Sequence, residues 1–213
     1  MLLAVDTSSS QLGLALYDGA QLIAESMWTS RARHTVELAP ALAELFQRTG
    51  AGMDDLAALG VALGPGSFTS LRVGLAFVKG LALVRRLPLI GIPSLDVVAA
   101  SQPQTGLPLA AVVPAGRSRL AVGWYETAEK ASPVPMSAEE LSASITQPSL
   151  VCGEMSAGER QVFEKNQWVR LPSPAQCVRR PGLLAELAYA RHQAGESDNL
   201  ASLAPIYLHV AGS

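Results

Sequence analysis

The chain has 213 residues, of which 49% are hydrophobic and 16% charged, a composition that excludes disorder and allows a substantial core. The formal net charge of −2, with arginine pairs scattered along the chain, gives no reason to expect direct binding of nucleic acid or of an anionic membrane. No basic segment precedes an apolar stretch at the start, and Lys79 interrupts the longest apolar helix. We therefore expect no signal peptide, no membrane span and a cytoplasmic location.

Three strands open the predicted fold. Leu2–Val5 is a short apolar run, and Gln11–Tyr17 and Gln21–Trp28 follow as further strands on either side of an Asp18-Gly19 turn. Helices then alternate with strands, in the order helix Thr35–Arg48, strand Leu59–Leu63, helix Ser67–Arg86, strand Leu89–Ile92 and helix Ser94–Ala100. Because Pro40 lies inside the first of these helices, that helix must begin near it or kink there. The order βββαβαβα predicts an α/β fold with a mixed sheet and helical crossovers.

Residues 102–108 are typical of a linker. After them the alternation of strands and helices begins again. Further elements are predicted at Leu109–Val113, Leu120–Glu126 and Leu150–Gly153 as strands, and at Ser137–Ser144, Gly158–Asn166 and Pro181–Gln193 as helices. The restart predicts two lobes, residues 1–105 and a smaller lobe of residues 106–213, whose last helices pack back on the first lobe.

Two turns have the residues of a phosphate site. Asp6, Thr7 and Ser8 follow the first strand, and Gly64, Pro65, Gly66 and Ser67 join an apolar strand to a helix whose first N–H groups favour an anion. The second turn lacks the lysine of a Walker loop and the third glycine of a dinucleotide fingerprint. The alternatives are a tight strand-to-helix connection without ligand and a hairpin held by Asx- and Ser/Thr-turn hydrogen bonds.

Histidine and cysteine spacing argues against metal chemistry. A catalytic zinc site on this kind of fold requires two histidines at helical spacing together with a carboxylate. No two of His34, His192 and His209 are three or four residues apart. The cysteines, Cys152 and Cys177, lack Cys-x-x-Cys spacing and are expected to be reduced, buried residues. We predict no metal site and no catalytic residue.

Several spaced motifs together are more specific. They are Asp6-Thr-Ser, Arg33-His34-Thr35, the run from Gly64 to Gly74, Lys79-Gly80-Leu81-Ala82, Ile90-Gly-Ile-Pro-Ser-Leu and Pro205-Ile-Tyr-Leu. In these motifs the chain resembles the bacterial TsaB (YeaZ) family, closely from Met1 to about Ala100 and in patches afterwards. The resemblance implies an actin-like (ASKHA, ribonuclease H-like) two-lobed fold with mixed sheets flanked by helices.

The resemblance also implies a function. TsaB-like proteins are non-catalytic partners of the catalytic TsaD, alongside the ATPase TsaE, in placing threonylcarbamoyl on the tRNA adenosine that follows the anticodon. The implied partners are thus a TsaD-like subunit and a TsaE-like ATPase. The tRNA is expected to be contacted through the complex and not by this chain directly. A homodimer is the expected form of the chain without its partner. No cofactor is required by this chain, and ATP or ADP is left to the interface of the complex.

A departure from the family pattern bears on the nucleotide site. Where the family has Val-Asp-Ala-Arg in the second lobe, this chain has Val113-Pro114-Ala115-Gly116-Arg117, without the carboxylate. A carboxylate about 4 Å from a cation contributes about 4 kcal/mol at an effective dielectric near 20. We therefore predict that Asp6, Thr7, Ser8, Gly64, Gly66 and Ser67 form at most a vestigial phosphate site.

The helix from Leu71 to Val84 is apolar almost all round, which predicts either a helix buried within its own lobe or one with a second face in a protein interface. We prefer the interface, formed with the helix from Val36 to Phe46. The predicted interface residues are Val36, Ala39, Ala43, Phe46, Leu71, Gly74, Leu75, Val78 and Leu81. Glutamate at Gly74 or Leu75 is expected to abolish partner binding in a folded chain.

A second function class stays open. The chain could be a stand-alone ATP-dependent enzyme of the actin-like superfamily, a hydrolase or phosphotransferase acting through Asp6, Ser8 and the Gly64 turn. For His34 and Arg72 the sequence favours structural roles, a loop or cap residue and an ion pair or packed stem, without assigning them a function.

Overall fold

The computed structural model describes residues 1–30, 33–103, 105–116, 118–125 and 132–208. Strands in this part of the chain are β1 (Leu2–Asp6), β2 (Gln11–Tyr17), β3 (Leu22–Thr29), β4 (Ala58–Ala62), β5 (Leu89–Ile92), β6 (Leu109–Pro114), β7 (Leu120–Tyr125), β8 (Val134–Met136), β9 (Ser149–Gly153) and β10 (Val169–Arg170). The α-helices are α1 (His34–Thr49), α2 (Phe68–Arg85), α3 (Ser94–Ala100), α4 (Ala138–Ser144), α5 (Ala157–Glu164) and α6 (Pro181–Gln193), and 3-10 helices lie at Met53–Asp55 and Pro174–Cys177. None of the helices in these ranges is both long and apolar enough to cross a lipid bilayer.

The chain divides into two compact units. The first comprises Met1–Pro93 together with Arg180–Ile206, and the second comprises Ser94–Arg179 with the chain from Tyr207. Each unit is built on one five-stranded sheet, so the predicted mixed α/β architecture is confirmed.

The sheet of the first unit has the order β3-β2-β1-β4-β5. β1 runs antiparallel to β2 and parallel to β4, and β4 runs parallel to β5. Every residue of β1 and β4 is buried, because helices cover both faces of the sheet. Leu3 and Val61 belong to the core that contains the buried leucines of α1 and α2. Gly60, which points to the other face, lies against Ala188 of α6.

The segment after α6 continues along the same unit. The Asp198 N–H donates to Leu89 O at 2.8 Å, and the Ile206 N–H donates to Leu63 O at 2.7 Å. Lys79, the charge that interrupts the apolar pattern of α2, donates through Nζ to Leu203 O at 2.7 Å. Residues from the end of the chain therefore complete the hydrogen bonding of strands and of a helix near its beginning.

The second sheet repeats the strand directions of the first. Its order is β10-β9-β6-β7-β8, with β6 antiparallel to β7, β7 antiparallel to β8, and β6, β9 and β10 parallel. The predicted repeat of element order is confirmed. The predicted capping box of α4 is confirmed as well, since the Glu140 N–H donates to Ser137 Oγ at 3.1 Å and the Ser137 N–H donates to Glu140 Oε2 at 2.7 Å.

Besides shifts of one or two residues at several element ends, the structure differs from the prediction at one helix start and in two additional strands. α1 begins at His34, six residues before Pro40, so the proline lies in its second turn. The strands β8 and β10 were not predicted. They are three and two residues long and lie at the two edges of their sheet, and Pro135 hides the strand pattern of β8 because proline cannot donate a ladder hydrogen bond.

One hydrogen bond in the second unit gives a prediction with a pH dependence. Tyr125 Oη donates to Asp96 Oδ1 at 2.6 Å. Burial, with the Asp96 hydrogen bond and charge, raises the pKa of Tyr125 far above its ordinary value of 10.0. Because the folded-state pKa is raised, the stabilisation is fully present below about pH 10 and is lost as the pH rises beyond it. We expect Tyr125→Phe to cost about 1–2 kcal/mol of unfolding free energy at pH 7.

Urea unfolding of the wild type and of Tyr125→Phe, measured from pH 7 upward, checks this expectation. The difference between the two proteins should shrink above pH 10, since ionisation of the phenol then favours the unfolded wild-type chain. Equal stability at pH 7, or a difference that does not vary with pH, would contradict the account.

Candidate functional site

The two turns predicted from the sequence lie against each other in the first unit. The turn after β1 carries Asp6, Thr7 and Ser8, all at most 2% exposed. The turn before α2 packs on it, and the Ser67 N–H donates to Ser8 O at 2.7 Å. From the first turn of α2, Ser70 O accepts a hydrogen bond from Thr7 Oγ1 at 2.8 Å. The structure thus brings together all six residues predicted for the phosphate site.

Close backbone contact explains the glycines in this region. A Cβ at Gly66 would lie 2.1 Å from Ser8 O, and a Cβ at Gly74, one turn into α2, would lie 2.1 Å from Thr7 Oγ1. Real Cβ atoms do not approach oxygen that closely, so only glycine fits at either position without a shift of the two turns. The glycines therefore set how closely α2 approaches the end of β1.

Hydrogen bonds within these turns engage the groups that a phosphate would need. Both the backbone N–H and the hydroxyl of Ser8 donate to Asp6 Oδ1, at 2.8 and 2.7 Å, an Asx-turn arrangement. Ser70 Oγ donates to Ser67 Oγ at 3.0 Å. This is the hydrogen-bonding pattern of the alternative that the sequence left open, a hairpin held by its own polar groups. Phosphate binding by these residues stays a prediction.

The matching region of the second unit is built from β6, β7 and β9. Pro114 ends β6 opposite Leu120 of β7 and is exposed. Arg119 donates to Glu140 Oε2 at 2.9 Å, and Glu154, after β9, accepts from Arg179 at 3.1 Å. Arg117 lies outside the described residues. The charged groups described here are thus engaged in ion pairs within the unit.

An apolar groove runs between α1 and α2 in the first unit. Its volume is about 460 Å³. The residues that line it are His34, Thr35, Leu38, Phe68, Thr69, Arg72, Val73, Ala76 and Phe77. A groove of this size and apolar character suits another protein's side chains better than a phosphate.

His34 and Arg72, whose roles the sequence left open, both lie in this groove. His34 is 5% exposed, and its Nε2 lies 3.0 Å from Ser9 O, in hydrogen-bonding contact with the turn after β1. The Arg72 guanidinium stacks over the Phe68 ring, with Cζ 3.7 Å from the ring centroid, a cation–π contact. His34 ties the start of α1 to the hydroxyl turn, and Arg72 forms part of the exposed groove wall.

The predicted interface residues divide by exposure. Leu71, Gly74, Leu75 and Val78 are buried in the first unit, Phe46 and Leu81 are half-buried, and Val36, Ala39 and Ala43 are exposed. Glutamate at Gly74 or Leu75 would therefore disturb the interior of the unit, and the sequence-based expectation of a folded chain with glutamate there does not fit the structure. On α2, the exposed apolar residues that the predicted interface left out are Phe68, Ala76, Leu83 and Val84.

The reason for the miss lies in the helix itself. The buried residues of α2 follow the spacing i, i+3, i+4, i+7 from Leu71 and continue to Ala82. Apolar residues also fill the opposite side, where Leu83 is 66% and Val84 82% exposed. Because apolar residues occupy every side of α2, the sequence pattern does not show which face of the helix is buried. Gly74, which packs beside the turn after β1, was the one residue that could have indicated the buried face.

Metal ligands are not grouped in the described part of the chain. No three residues among its histidines, cysteines, aspartates and glutamates lie close enough together to hold a metal ion. His209, the third histidine of the sequence, lies outside the described residues. Cys152 and Cys177 are free thiols and buried, as the sequence predicted.

Comparison with known proteins supplies the family. A family model described as TsaD, tRNA N6-adenosine threonylcarbamoyltransferase, matches residues 23–167. The tRNA threonylcarbamoyladenosine biosynthesis protein TsaB of Bacillus subtilis (strain 168) is 32% identical over 125 residues, which cover 59% of this chain and 55% of that protein. TsaB of Escherichia coli (strain K12) is 34% identical over 98 residues, which cover 46% and 42%. The chain thus spans about half the length of the curated relatives it matches.

A solved structure gives the fold. YeaZ from Pseudomonas aeruginosa superposes with a TM-score of 0.79 over 97% of this chain and 99% of that one, at 22% sequence identity. The predicted actin-like, ribonuclease H-like fold is thereby confirmed. The curated relatives confirm the predicted resemblance to TsaB (YeaZ) proteins. Because the family model matches more than half of this chain, the chain belongs to the TsaD family.

Proposed function

We propose that this chain is a non-catalytic subunit of the machinery that installs threonylcarbamoyl on the tRNA adenosine following the anticodon, and that it acts by binding and supporting a TsaD-like catalytic subunit in the cytoplasm. Membership of the TsaD family and the names of its TsaB relatives, tRNA threonylcarbamoyladenosine biosynthesis proteins, support the reaction. The observation that carries the binding role is the exposed apolar groove between α1 and α2.

The exposed residues of α1 and α2, of which Phe68 and Ala76 line the groove, fit a helical partner. Small exposed residues, Ala39 and Ala43 on α1 and Ala76 and Gly80 on α2, leave room for another backbone to come close. Large apolar residues are exposed on the same two helices, namely Val36, Phe68, Leu83 and Val84. We assign this set of eight residues, called the docking face below, to a pair of helices of the TsaD-like subunit. A specific complex of this kind buries about 1,600 Å² in total.

The remaining parts of the proposal follow from the polar turns. Both donors of Ser8, the hydroxyl of Thr7 and the N–H of Ser67 are used within the two turns. We therefore propose that the isolated chain has a degenerate nucleotide site and needs no cofactor. ATP or ADP then belongs to the interface of the complex and to a TsaE-like ATPase. Contact with tRNA is made by the complex, and the docking face makes a homodimer when the partner is absent.

Reconstitution tests the proposal. The chain is combined with the TsaD-like and TsaE-like proteins of its own cell, with unmodified tRNA and with a donor of the threonylcarbamoyl group. The modified nucleoside is then quantified. We expect modification to need both this chain and the TsaD-like subunit, and the two to elute as one species in size-exclusion chromatography. ATP turnover by the isolated chain that disappears in Asp6→Ala would overturn the proposal in favour of a stand-alone ATP-dependent enzyme.

A further inference from the structure

Two buried thiols lie side by side in the second unit. Cys152, in β9, and Cys177, at the end of the 3-10 helix Pro174–Cys177, are free thiols, and Cys152 contacts the residue that precedes Cys177. Both belong to one apolar cluster. Cys152 Sγ lies 3.8 Å from Gln176 O, and Cys177 Sγ lies 3.7 Å from Pro172 O. The pair is thus placed by β9 on one side and by the residues around the 3-10 helix on the other.

The groups around the pair distinguish the two sulfurs. The Arg160 guanidinium, on α5, has Nη1 3.9 Å from Cys177 Sγ, which places a positive charge beside this sulfur. The Cys152 hydrogen bond, the Gly153 backbone and Arg160 together hold the pKa of Cys177 below its ordinary value, whereas the Cys177 hydrogen bond and burial raise the pKa of Cys152. Cys177 is therefore the sulfur that ionises first.

We propose that Cys177 and Cys152 form a peroxide-reactive dithiol, in which Cys177 is the attacking thiolate, Cys152 the resolving thiol and Arg160 a positioning residue. Hydrogen peroxide is the oxidant that fits, because it is little larger than water and Cys177 is 5% exposed. A thiolate beside a guanidinium and next to a second thiol has the features of a redox-active cysteine.

The reaction balances in two steps. The Cys177 thiolate attacks one oxygen of hydrogen peroxide, the O–O bond breaks, and the hydroxide released takes a proton to leave as water, with the sulfur oxidised to a sulfenic acid. The Cys152 sulfur then attacks the Cys177 sulfur, the S–O bond breaks, and hydroxide leaves with the Cys152 proton as a second water. Two thiols are oxidised to one disulfide, and one peroxide is reduced to two waters.

The test follows both thiols in the native chain. One equivalent of peroxide should remove both titratable thiols together, lower the intact mass by two hydrogens, and give a Cys152–Cys177 cross-linked peptide that dithiothreitol releases. In Cys152→Ser the oxidation should stop at a Cys177 sulfenic acid that dimedone traps. In Cys177→Ser the Cys152 thiol should survive the same treatment.

A comparison of Arg160→Gln with Arg170→Gln shows whether Arg160 positions the Cys177 thiolate or only packs against it. Arg170 donates only to nearby backbone carbonyls, which makes it a matched control. Loss of the Arg160 charge should move the pH midpoint of the peroxide reaction upward and slow the reaction about tenfold for each unit of the shift, at pH values below the midpoint. Arg170→Gln should leave the profile unchanged, and Arg160→Lys should recover part of the rate.

Two results would overturn the inference. One is survival of both thiols in the native wild type under peroxide while both react in denaturant, which would mark them as inert core residues. The other is a disulfide that joins two separate chains. The measurement on the wild type decides between these outcomes and the expected disulfide within one chain, even if a variant fails to fold. It does not depend on the proposed role in tRNA modification.

Discussion

Replacing Gly74 by alanine should cost the first unit about 3 kcal/mol of unfolding free energy, a large share of the roughly 5–15 kcal/mol that a domain has. The new Cβ would lie 2.1 Å from Thr7 Oγ1, and also 3.0 and 3.1 Å from Thr7 Cγ2 and Cβ. Rotation of the Thr7 side chain would remove the Oγ1 contact only by breaking the hydrogen bond from Thr7 to Ser70 O, and it would leave Thr7 Cβ 3.1 Å from the new atom. The alternative is separation of α2 from the turn after β1, which breaks the same hydrogen bond.

Gly80 supplies the matched control on the same helix. A Cβ there meets nothing within 4 Å, so Gly80→Ala should raise stability by about 0.5–1 kcal/mol through the helix propensity alone. Chemical denaturation of both variants measures the contrast. Adding Thr7→Ala to Gly74→Ala should recover about 1–2 kcal/mol relative to the sum of the single changes. Equal stabilities for Gly74→Ala and Gly80→Ala would refute the close packing of these turns.

Glutamate at Ala76, within the docking face, should weaken binding of the TsaD-like subunit at least about 100-fold, since a carboxylate would be buried there without a partner. Ala76 is exposed and lines the groove, so the isolated chain should keep its fold and its melting temperature. Calorimetric titration with the purified TsaD-like subunit gives the Kd. The same substitution should abolish chain-dependent tRNA modification at concentrations near the wild-type Kd.

Ala190→Glu is the control for that experiment. Ala190 is exposed on α6, which packs on the other face of the same sheet, so the charge is added to the same unit but away from the docking face. We expect its Kd to stay within about twofold of the wild type. Binding by Ala76→Glu as tight as by Ala190→Glu would rule out the groove as the docking site and leave family membership as the only support for a partner.

The architecture was largely predictable because its signals are local. Apolar runs such as Leu2–Val5, the Ser137 and Glu140 capping pair, and the alternation of strands with helices each depend on residues a few positions apart, and the structure confirms them. The short strand β8 was not predictable, because three residues with a central proline carry no strand pattern. Its place in the sheet depends on pairing with β7, which local sequence does not encode.

The candidate site was predictable in its residues but less so in its geometry. The two polar turns were both singled out, and their contact through Ser8 and Gly66 joins positions 58 residues apart. The inward face of α2 was not predictable, since residues on all its sides are apolar. The thiol pair escaped prediction for a similar reason: Cys152 and Cys177 have no motif spacing, and only the packing of the second unit brings them together.

Because residues 180–206 belong to the first unit, the core of that unit is completed late during synthesis of the chain. The helix that covers one face of the sheet belongs to residues translated after residues 94–179 of the second unit. The same is true of Asp198 and Ile206, whose N–H groups donate to Leu89 O of β5 and to Leu63 O, just after β4. While the ribosome is still extending the chain, the first five strands have one uncovered apolar face. The unit that contains the first five strands therefore cannot complete its core until residue 206 has been made, and during that interval its uncovered face is exposed to chaperones and to aggregation.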